Sequence, residues 1–485
     1  MNINLNILEN TIRRCRERNI IIPTYSEMAH PEKMSSTIKE ELKQIGLWDF
    51  HPRNLFRISW KNEPILNGGG FGKVNYLEIP SQISGVKARI ILLIGKYFPT
   101  GSHKVGATFG PLVEKLIRGE FDPTTQKALW PSTGNYCRGG AYDSLLLACS
   151  SIAVLPEGMS QERFLWLKKT GTEIVPTPGS ESNVKEVFDK CYDLKRSDPE
   201  RIVVLNQFDE FGNAVWHYAC TGPAIEEVYQ EIRSGDQNLS ALFLTQGSAG
   251  TLACGDYLKE KFPRIRICAG EALQCPTLLY NGYGEHRIEG IGDKHVPWIF
   301  NIKSLDMAAG IDDRDCLRIM RLFNETQGKK FLKKIPIQDE IVNKLDLLGI
   351  SAIANVIGCI KTAKYYEMNE KDIIFSIATD SMELYDSRVS ELRKQWGNYS
   401  QSQAAMDYSA CLHNQKIDHM QELSYWAKKR LHNLKYFTWV EQRGKDINEL
   451  NQQWSDEEYW KIKYRSYLEW DTLIRTFNKK TGLLK

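Results

Sequence analysis

The stretch A-R-I-I-L-L-I-G-K-Y-F-P-T-G-S-H-K-V-G-A-T, residues 88–108, joins an apolar run to a turn of small residues that contains Lys104. The run at 89–94 is apolar and rich in β-branched residues, which predicts a buried strand. The amphipathic segment after Lys104 predicts a helix. Lys104 therefore lies where a strand is followed by a helix, and open α/β sheets bind their ligands at this edge.

Similar apolar runs alternate with longer segments of helical period along most of the chain. This alternation is typical of βαβ units, so we predict an α/β fold with a parallel sheet. The predicted strands cover residues 89–94, 127–131, 151–156, 172–176, 201–206, 239–245, 264–270 and 372–379.

The composition excludes several classes of protein. The chain has 485 residues, enough for two or three domains, and its net charge of +3 gives no reason to expect a nucleic-acid or membrane-surface partner. No uncharged apolar run approaches the roughly 20 residues of a membrane span, and the first residues lack the apolar core of a signal peptide. The eleven cysteines form no C-x-x-C motif. We therefore predict reduced thiols, no metal site and a cytoplasmic location.

The two ends of the chain differ from its middle. From about residue 390 the strand-like runs stop, and six of the twelve tryptophans lie between Trp396 and Trp470. Large aromatics in a polar helical segment must bury against another surface. We predict that 391–485 is a helical, Trp-rich extension that packs on the core or on a second subunit, in preference to a separate binding module. Residues 1–55 are predicted to form a helical flank.

One glycine-rich segment resembles a kinase phosphate loop but lacks its context. G-G-G-F-G-K-V (68–74) is followed by Lys96, yet no H-R-D motif exists, and D-E-F-G (209–212) is one residue longer than D-F-G. We interpret 68–74 as a turn between two short strands.

Two further turns of small residues follow predicted strands. Q-G-S-A-G-T-L (246–252) opens a helix, and its unobstructed N–H groups suit a phosphate. S-T-G-N-Y-C-R-G-G-A (132–141) follows the strand at 127–131. No G-x-G-x-x-G with a later acidic residue is present, which argues against a nucleotide-dependent oxidoreductase. With the Lys104 turn, these loops are expected to converge on one crevice.

Together the turns resemble the cysteine synthase/cystathionine β-synthase family of fold type II enzymes, which use pyridoxal 5′-phosphate (PLP). The matching segments are T-G-S-H-K (100–104), S-T-G-N-Y (132–136), N-Q-F-D-E-F-G-N (206–213), T-G-P-A-I-E-E (221–227), G-S-A-G-T (247–251) and E-H-R-I-E-G-I-G-D-K-H-V-P (285–297). They occur in order between about residues 60 and 390. The resemblance implies a tryptophan synthase β-like fold of two open, mostly parallel sheets flanked by helices. It places a larger PLP-binding domain at 56–103 and 216–390, and a smaller domain at 104–215 that carries the lysine and the asparagine loop.

The resemblance also assigns roles to residues. Lys104 would form the Schiff base with PLP and then move protons, and Asn135 would bond the cofactor's ring oxygen. Ser381 would meet the pyridine nitrogen, with Thr379 and Asp380 as neighbours in an open register; an aspartate there would favour a protonated ring. The phosphate would lie on Gly247, Ser248, Ala249, Gly250 and Thr251, and the substrate on Ser132, Thr133, Gly134, Tyr136 and Gln207.

The implied activity is β-replacement or β-elimination on a small amino acid of the serine, O-acetylserine or cysteine type, through an aminoacrylate, in a homodimer. Tyr136 stands where the family has a threonine, and Val105 and Gly106 follow the lysine where Asp-Arg is common. The leaving group, the nucleophile and the L or D configuration therefore stay open. An ammonia-lyase or desulfhydrase, including one for D-amino acids, and a non-catalytic PLP-fold binding protein are the alternatives.

Overall fold

The computed structural model describes residues 4–64, 69–132, 134–179 and 183–484. Its strands form two sheets. The strands are β1 (Tyr76–Ile79), β2 (Arg89–Ile94), β3 (Lys127–Pro131), β4 (Ser150–Pro156), β5 (Glu173–Thr177), β6 (Ile202–Val204), β7 (Asn238–Thr245), β8 (Arg266–Ala272), β9 (Met307–Ile311), β10 (Asp372–Ala378) and β11 (Met420–Glu422).

The larger sheet has the order β1-β2-β10-β7-β8-β9-β11, and the smaller has the order β5-β4-β3-β6. All pairs of the smaller sheet are parallel. In the larger sheet the pairs from β2 to β9 are parallel, and only the edge strands β1 and β11 run antiparallel to their neighbours. The predicted α/β fold with two mostly parallel sheets is confirmed.

Helices cover both sheets. They are α1 (Leu5–Glu17), α2 (Tyr25–Ala29), α3 (Ser36–Leu42), α4 (Ser81–Ser84), α5 (Lys104–Arg118), α6 (Asn135–Leu146), α7 (Gln161–Lys169), α8 (Val184–Ser197), α9 (Phe211–Trp216), α10 (Gly222–Ile232), α11 (Ala253–Lys261), α12 (Thr277–Tyr280), α13 (Asp313–Asn324), α14 (Thr326–Leu332), α15 (Asp339–Lys344), α16 (Ile350–Tyr365), α17 (Asp386–Trp396), α18 (Gln401–Tyr408), α19 (Tyr425–Lys435), α20 (Ile447–Ser455), α21 (Tyr459–Arg465) and α22 (Tyr467–Thr481).

The burial of the central strands explains why they could be recognised in the sequence as apolar runs. Ile90 to Leu93 of β2 are fully buried, because β2 lies between two other strands and helices cover both faces of the sheet. A parallel strand buried on both sides reads as a continuous apolar run, not as an alternating one. All eight predicted strands are present, and no end differs by more than two residues from its predicted position.

Three strands were not predicted. β1 and β11 are short edge strands, of four and three residues. β9 has the sequence M-A-A-G-I, in which alanine and glycine give little strand propensity. Residues 65–68, which include the first residue of the turn predicted at 68–74, lie outside the described residues. Asn62 and Phe71 form an isolated antiparallel bridge.

The C-terminal extension packs on the chain's own core. Trp439 donates a hydrogen bond from Nε1 to Val296 O at 2.8 Å, and Trp470 packs against Tyr25 with ring centroids 5.8 Å apart. Trp426 is different, because 76% of it is exposed. The region is helical except for its loops and β11, which pairs with β9.

Among the described residues, no single helix is long and apolar enough to cross a membrane. One pair of helical segments, 339–347 with 350–365, reaches that length and composition together but is bent by 119°.

Lys435 joins this extension to the core. Its buried ammonium donates to Trp298 O at 3.0 Å, Phe300 O at 2.7 Å and Gln453 Oε1 at 2.7 Å. Burial alone holds the pKa of Lys435 well below its usual range. Because Lys435→Met leaves these buried acceptors without their donor, we expect a loss of about 2–3 kcal/mol in the free energy of unfolding, measured by urea titration.

The matched control is Lys429→Met on the same helix. Lys429 lies 4.6 Å from the centre of the Trp454 ring, and losing that contact at a partly exposed site is expected to cost less than about 1 kcal/mol. Equal losses in the two variants would contradict the anchoring role of Lys435.

Candidate active site

The loops that the sequence singled out meet at the carboxyl ends of the parallel strands. Lys104 begins α5 beyond β2, Asn135 begins α6 after β3, residues 247–251 follow β7, and Thr379 follows β10. They line two cavities that share Lys104, Gly247, Ser248, Gly290, Ile291 and Thr379. The two cavities therefore form one cleft between the sheets, as the convergence of the turns predicted.

The position of Lys104 depends on close packing of α5. A Cβ on Gly106 would overlap the Trp216 ring, and a Cβ on Gly110 would overlap the backbone of Gly212. Glycine at both positions lets α5 lie directly against α9, which places the start of α5 at the cleft. The side chains of Val105 and Ala107 are fully buried.

Two neutral histidines lie beside Lys104. Burial holds the pKa of His103 well below its usual range, and the nearby Lys104 lowers it further. The pKa of His217 is likewise well below its usual range, through burial first and then His103 and Lys104. The two rings meet edge to face, with centroids 5.0 Å apart. The surroundings of Lys104 are thus buried and carry no charge from these imidazoles.

The 247–251 loop has the geometry of an anion cradle. Ala249 adopts a left-handed conformation with φ +62°, and a short 3-10 turn at Gly250–Leu252 leads directly into α11. Gly247, Ser248, Ala249 and Thr251 line the cleft. Small side chains at the start of a helix leave the backbone N–H groups open to a phosphate. This loop therefore fits the phosphate of PLP.

Asn213 holds this loop in place through hydrogen bonds. Its Nδ2 donates to Ser248 Oγ at 3.0 Å and to Gln207 O at 2.9 Å, so one amide joins the cradle to the predicted substrate segment. Gly250 does not line the cleft; it packs on Asn213, whose Oδ1 a Cβ at position 250 would overlap. The sequence did not reveal Asn213, although it is the last residue of the quoted N-Q-F-D-E-F-G-N segment.

Gly250→Ala is therefore expected to damage the cradle. The added methyl group must displace Asn213, and overpacking of this kind costs about 1–3 kcal/mol. We expect PLP to be retained at least about tenfold less well, measured by the rate of cofactor loss on dilution. Asn213→Ala removes the obstructing amide, so Gly250→Ala should cost less in that background; equal costs in both backgrounds would contradict the account of this contact.

Ser381, the residue predicted to meet the pyridine nitrogen, lies just outside the lining of the cleft. Ser381 is buried, and the hydroxyl that follows β10 and lines the cleft is that of Thr379, whose Oγ1 is 3.2 Å from His103 Nε2. The reason is the end of β10: pairing with β2 continues to Ala378, so Thr379 is the next residue into the cleft and Ser381 already precedes the turn at Met382–Leu384. Asp380 lines neither cavity either; its carboxylate contacts Gly349 and accepts a hydrogen bond from Asn135.

The predicted substrate residues are only partly brought together. Ser132, Tyr136 and Gln207 line the cleft beside Lys104. Gly134 lies outside the lining, with φ +146° and with the Arg163 side chain where a Cβ would be. Thr133 lies outside the described residues.

Several lining residues were missed by the sequence reasoning. They are Thr245, Gly290, Ile291, Gly292, Asp293 and Asn355. Four of them belong to the quoted 285–297 segment, to which no role had been given, so the signal was present there. Asn355 Oδ1 accepts a hydrogen bond from the Thr245 N–H at 2.7 Å. The two residues are 110 positions apart, so no local sequence pattern predicts this contact.

A buried polar network adjoins the cleft. Arg163 pairs with Glu289 and donates to the Tyr385 hydroxyl at 3.0 Å, and that hydroxyl donates to Asp380 Oδ2 at 2.9 Å. Glu289 also accepts from Arg388 Nε at 2.5 Å. Arg163, Asp380 and Tyr385 are at most 1% exposed. The network joins α7, which follows strand β4 of the smaller sheet, to the segment after β10 of the larger sheet.

Comparisons with known proteins agree with this geometry. The family model described as pyridoxal-phosphate dependent enzyme matches residues 74–329, just over half of the chain. A probable cysteine synthase of Bacillus subtilis is 27% identical over 299 residues, covering 61% of this chain and 88% of the relative. Cystathionine β-synthase of Saccharomyces cerevisiae is 26% identical, covering 62% of this chain; the match spans only 57% of that enzyme.

Two solved structures show the same fold. A hydrogen sulfide-producing enzyme from Fusobacterium nucleatum superposes with a TM-score of 0.55 at 22% identity, covering 72% of this chain and 95% of the other. The O-acetylserine dependent cystathionine β-synthase from Helicobacter pylori superposes with a TM-score of 0.54 at 24% identity, covering 64% and 94%. The chain has the fold of the type II PLP enzymes, and it belongs to the family of pyridoxal-phosphate dependent enzymes.

Proposed function

We propose that this protein uses PLP to catalyse β-replacement or β-elimination on a small amino acid of the serine, O-acetylserine or cysteine type. The observation that carries the proposal is the meeting of Lys104, Asn135 and the 247–251 cradle in one cleft. The names of the relatives, cysteine synthase and cystathionine β-synthase, support the same reaction class.

The residues of the cleft match the groups of the cofactor. Lys104 would bind its aldehyde carbon, the 247–251 loop its phosphate, Thr379 its pyridine nitrogen and Asn135 its ring oxygen. When bound, PLP supplies an electron sink for the electron pair left at the substrate Cα.

The chain's own groups handle the protons. The Lys104 amine would take the proton from the substrate Cα and would return a proton to the departing group. Ser132 and Gln207 line the cleft with Lys104 and would bind the substrate carboxylate, which would orient the Cα–H bond toward Lys104. Ser132, Gln207 and Tyr136 are buried, so the cleft around the reacting atoms excludes most water.

Thr379 sets the electronic character of the site. It is a neutral hydroxyl beside a histidine that burial keeps neutral. A neutral partner leaves a pyridine nitrogen unprotonated and the electron sink moderate, which favours loss of a group from Cβ. A carboxylate in that place would favour the protonated ring, and Asp380 lines neither cavity.

The experiment is a visible spectrum of the purified protein followed by product analysis. We expect an absorbance band from lysine-bound PLP that changes on addition of serine, O-acetylserine or cysteine, each tested as the L and D isomer. A new amino acid formed with sulfide present identifies replacement; pyruvate and ammonia identify elimination. A band that no amino acid changes would favour the non-catalytic alternative, and the absence of any band with added PLP would overturn the proposal.

We also propose a cytoplasmic location and a homodimeric assembly. All eleven cysteines are buried and free of disulfides, which supports a reducing compartment such as the cytoplasm. A homodimer is supported by large apolar side chains that the single chain leaves exposed, among them Trp426, Phe437 and Ile462. Light scattering of the purified protein tests the second expectation directly.

A further inference from the structure

We propose that Asp380 and Arg138 are positioning residues that fix the orientation of the Asn135 amide toward the bound cofactor. The inference rests on the proposed function, because it concerns how the chain presents Asn135 to the PLP ring. Neither residue lines the cleft, so each acts through Asn135.

Both ends of the Asn135 amide have a partner whose chemistry allows only one orientation. Arg138 Nη1 donates to Asn135 Oδ1 at 3.1 Å, and Asn135 Nδ2 donates to Asp380 Oδ2 at 2.6 Å. A guanidinium can only donate and a carboxylate can only accept, so a flipped amide would lose both hydrogen bonds. The flip would also bring like groups together, nitrogen against nitrogen and oxygen against oxygen.

The two partners are themselves held in place. Arg138 Nη2 donates to Thr100 O at 2.6 Å, and the guanidinium lies 4.7 Å from the centre of the Trp166 ring. The pKa of Arg138 is lowered to about 10 by burial, so the group stays charged at neutral pH. Asp380 accepts the Tyr385 hydroxyl on the same oxygen that accepts Asn135. Burial raises the pKa of Asp380, whereas Arg163, Asn135 and Tyr385 act against that rise.

The fixed orientation of the Asn135 amide leaves one of its N–H groups available to the cleft. Nδ2 carries two hydrogens, one of which goes to Asp380, and Asn135 lines the cavity that contains Lys104. A donor directed at the cofactor's ring oxygen stabilises the ionised form of that oxygen. Since Asn135 begins α6 after the smaller sheet and Asp380 follows β10 of the larger sheet, this donor is set only when the two sheets are correctly placed against each other.

The test compares Asp380→Ala with Asp380→Asn in the PLP-loaded protein. Asparagine removes the charge but keeps an oxygen that can accept from Asn135, whereas alanine removes both. The readouts are the wavelength and the pH titration of the visible band, and the rate of cofactor loss on dilution. We expect Asp380→Ala and Arg138→Met to shift the band and its titration in the same direction as Asn135→Ala, and to lose cofactor about tenfold faster. Asp380→Asn should stay close to wild type.

A double variant and a matched control complete the design. In Asn135→Ala, the further change Asp380→Ala should have no additional spectral effect, because its target is gone. Asp471 is another buried aspartate, which accepts the Tyr25 N–H at 2.7 Å and does not line the cleft; Asp471→Ala should lower stability and leave the band unchanged.

The outcomes separate the inference from the proposed function. If wild type has the band and Asn135→Ala changes it, but Asp380→Ala and Arg138→Met do not, the positioning role is wrong while the function stands. Additive effects of Asn135→Ala and Asp380→Ala would also overturn it. If Asp380→Ala does not fold, Arg138→Met carries the same test. A wild-type protein without a lysine-linked band would instead overturn the proposed function.

Discussion

Lys104→Ala is expected to abolish both the covalent attachment of PLP and turnover. The variant has no amine to bind the aldehyde and no base at the substrate Cα. A positioned acid–base group contributes about 10²–10⁴-fold on its own, and loss of the covalent step adds to that. We therefore expect kcat to fall at least about 10³-fold, with loss of the visible band of the lysine-bound cofactor.

Lys96→Ala is the matched control for this variant. Lys96 lies just after β2, eight positions before Lys104, and its ammonium pairs with Glu383 at 2.6 Å outside the cleft. Lys96→Ala should keep the band and most of the activity. A Lys104→Ala protein that still shows the band would mean that another lysine carries the cofactor.

Arg163→Met is expected to have the largest effect on stability. The variant leaves Glu289 and Asp380 buried without the guanidinium that faces both carboxylates. Removing one partner of a buried pair typically costs about 3–5 kcal/mol. We expect a loss of this order in the free energy of unfolding at pH 8, measured by urea titration, although the Arg388 pair with Glu289 compensates part of it.

The loss should depend on pH in a stated direction. The pKa of Asp380 is already raised by burial, and removing Arg163 raises it further. A carboxyl with a raised pKa in the folded state destabilises the fold as pH rises above the pKa of the unfolded chain, about 4. The Arg163→Met deficit should therefore be smaller at pH 5 than at pH 8. Arg196→Met, which breaks an exposed pair with Asp193, should cost less than about 1 kcal/mol at both values; equal costs for the two arginines would contradict the account.

The sequence predicted what short-range patterns determine. Fully buried strands such as β2 were visible as apolar runs, and the three turns of the cleft were visible because each needs several small residues in succession. By contrast, β9 was missed because its alanines and glycine owe their strand conformation to neighbours in the sheet, not to their own propensity.

The parts of the site that were not predicted depend on long-range contacts. Asn135 meets Asp380 across 245 positions and Arg163 meets Glu289 across 126, so these pairs exist only once the two sheets pack together. The position of Ser381 outside the lining of the cleft also depends on long-range contacts. Pairing of β10 with β2 and β7 decides which side chain is the first beyond the strand, and composition alone does not specify it.

The most direct test of the central claim is to locate the cofactor on the chain. The PLP-loaded protein is reduced with borohydride, which makes the lysine link permanent, and is then digested and analysed by mass spectrometry. The account predicts the phosphopyridoxyl group on Lys104, with Lys96 and Lys115 unmodified. A phosphopyridoxyl group on another lysine, or none on any peptide, would contradict it.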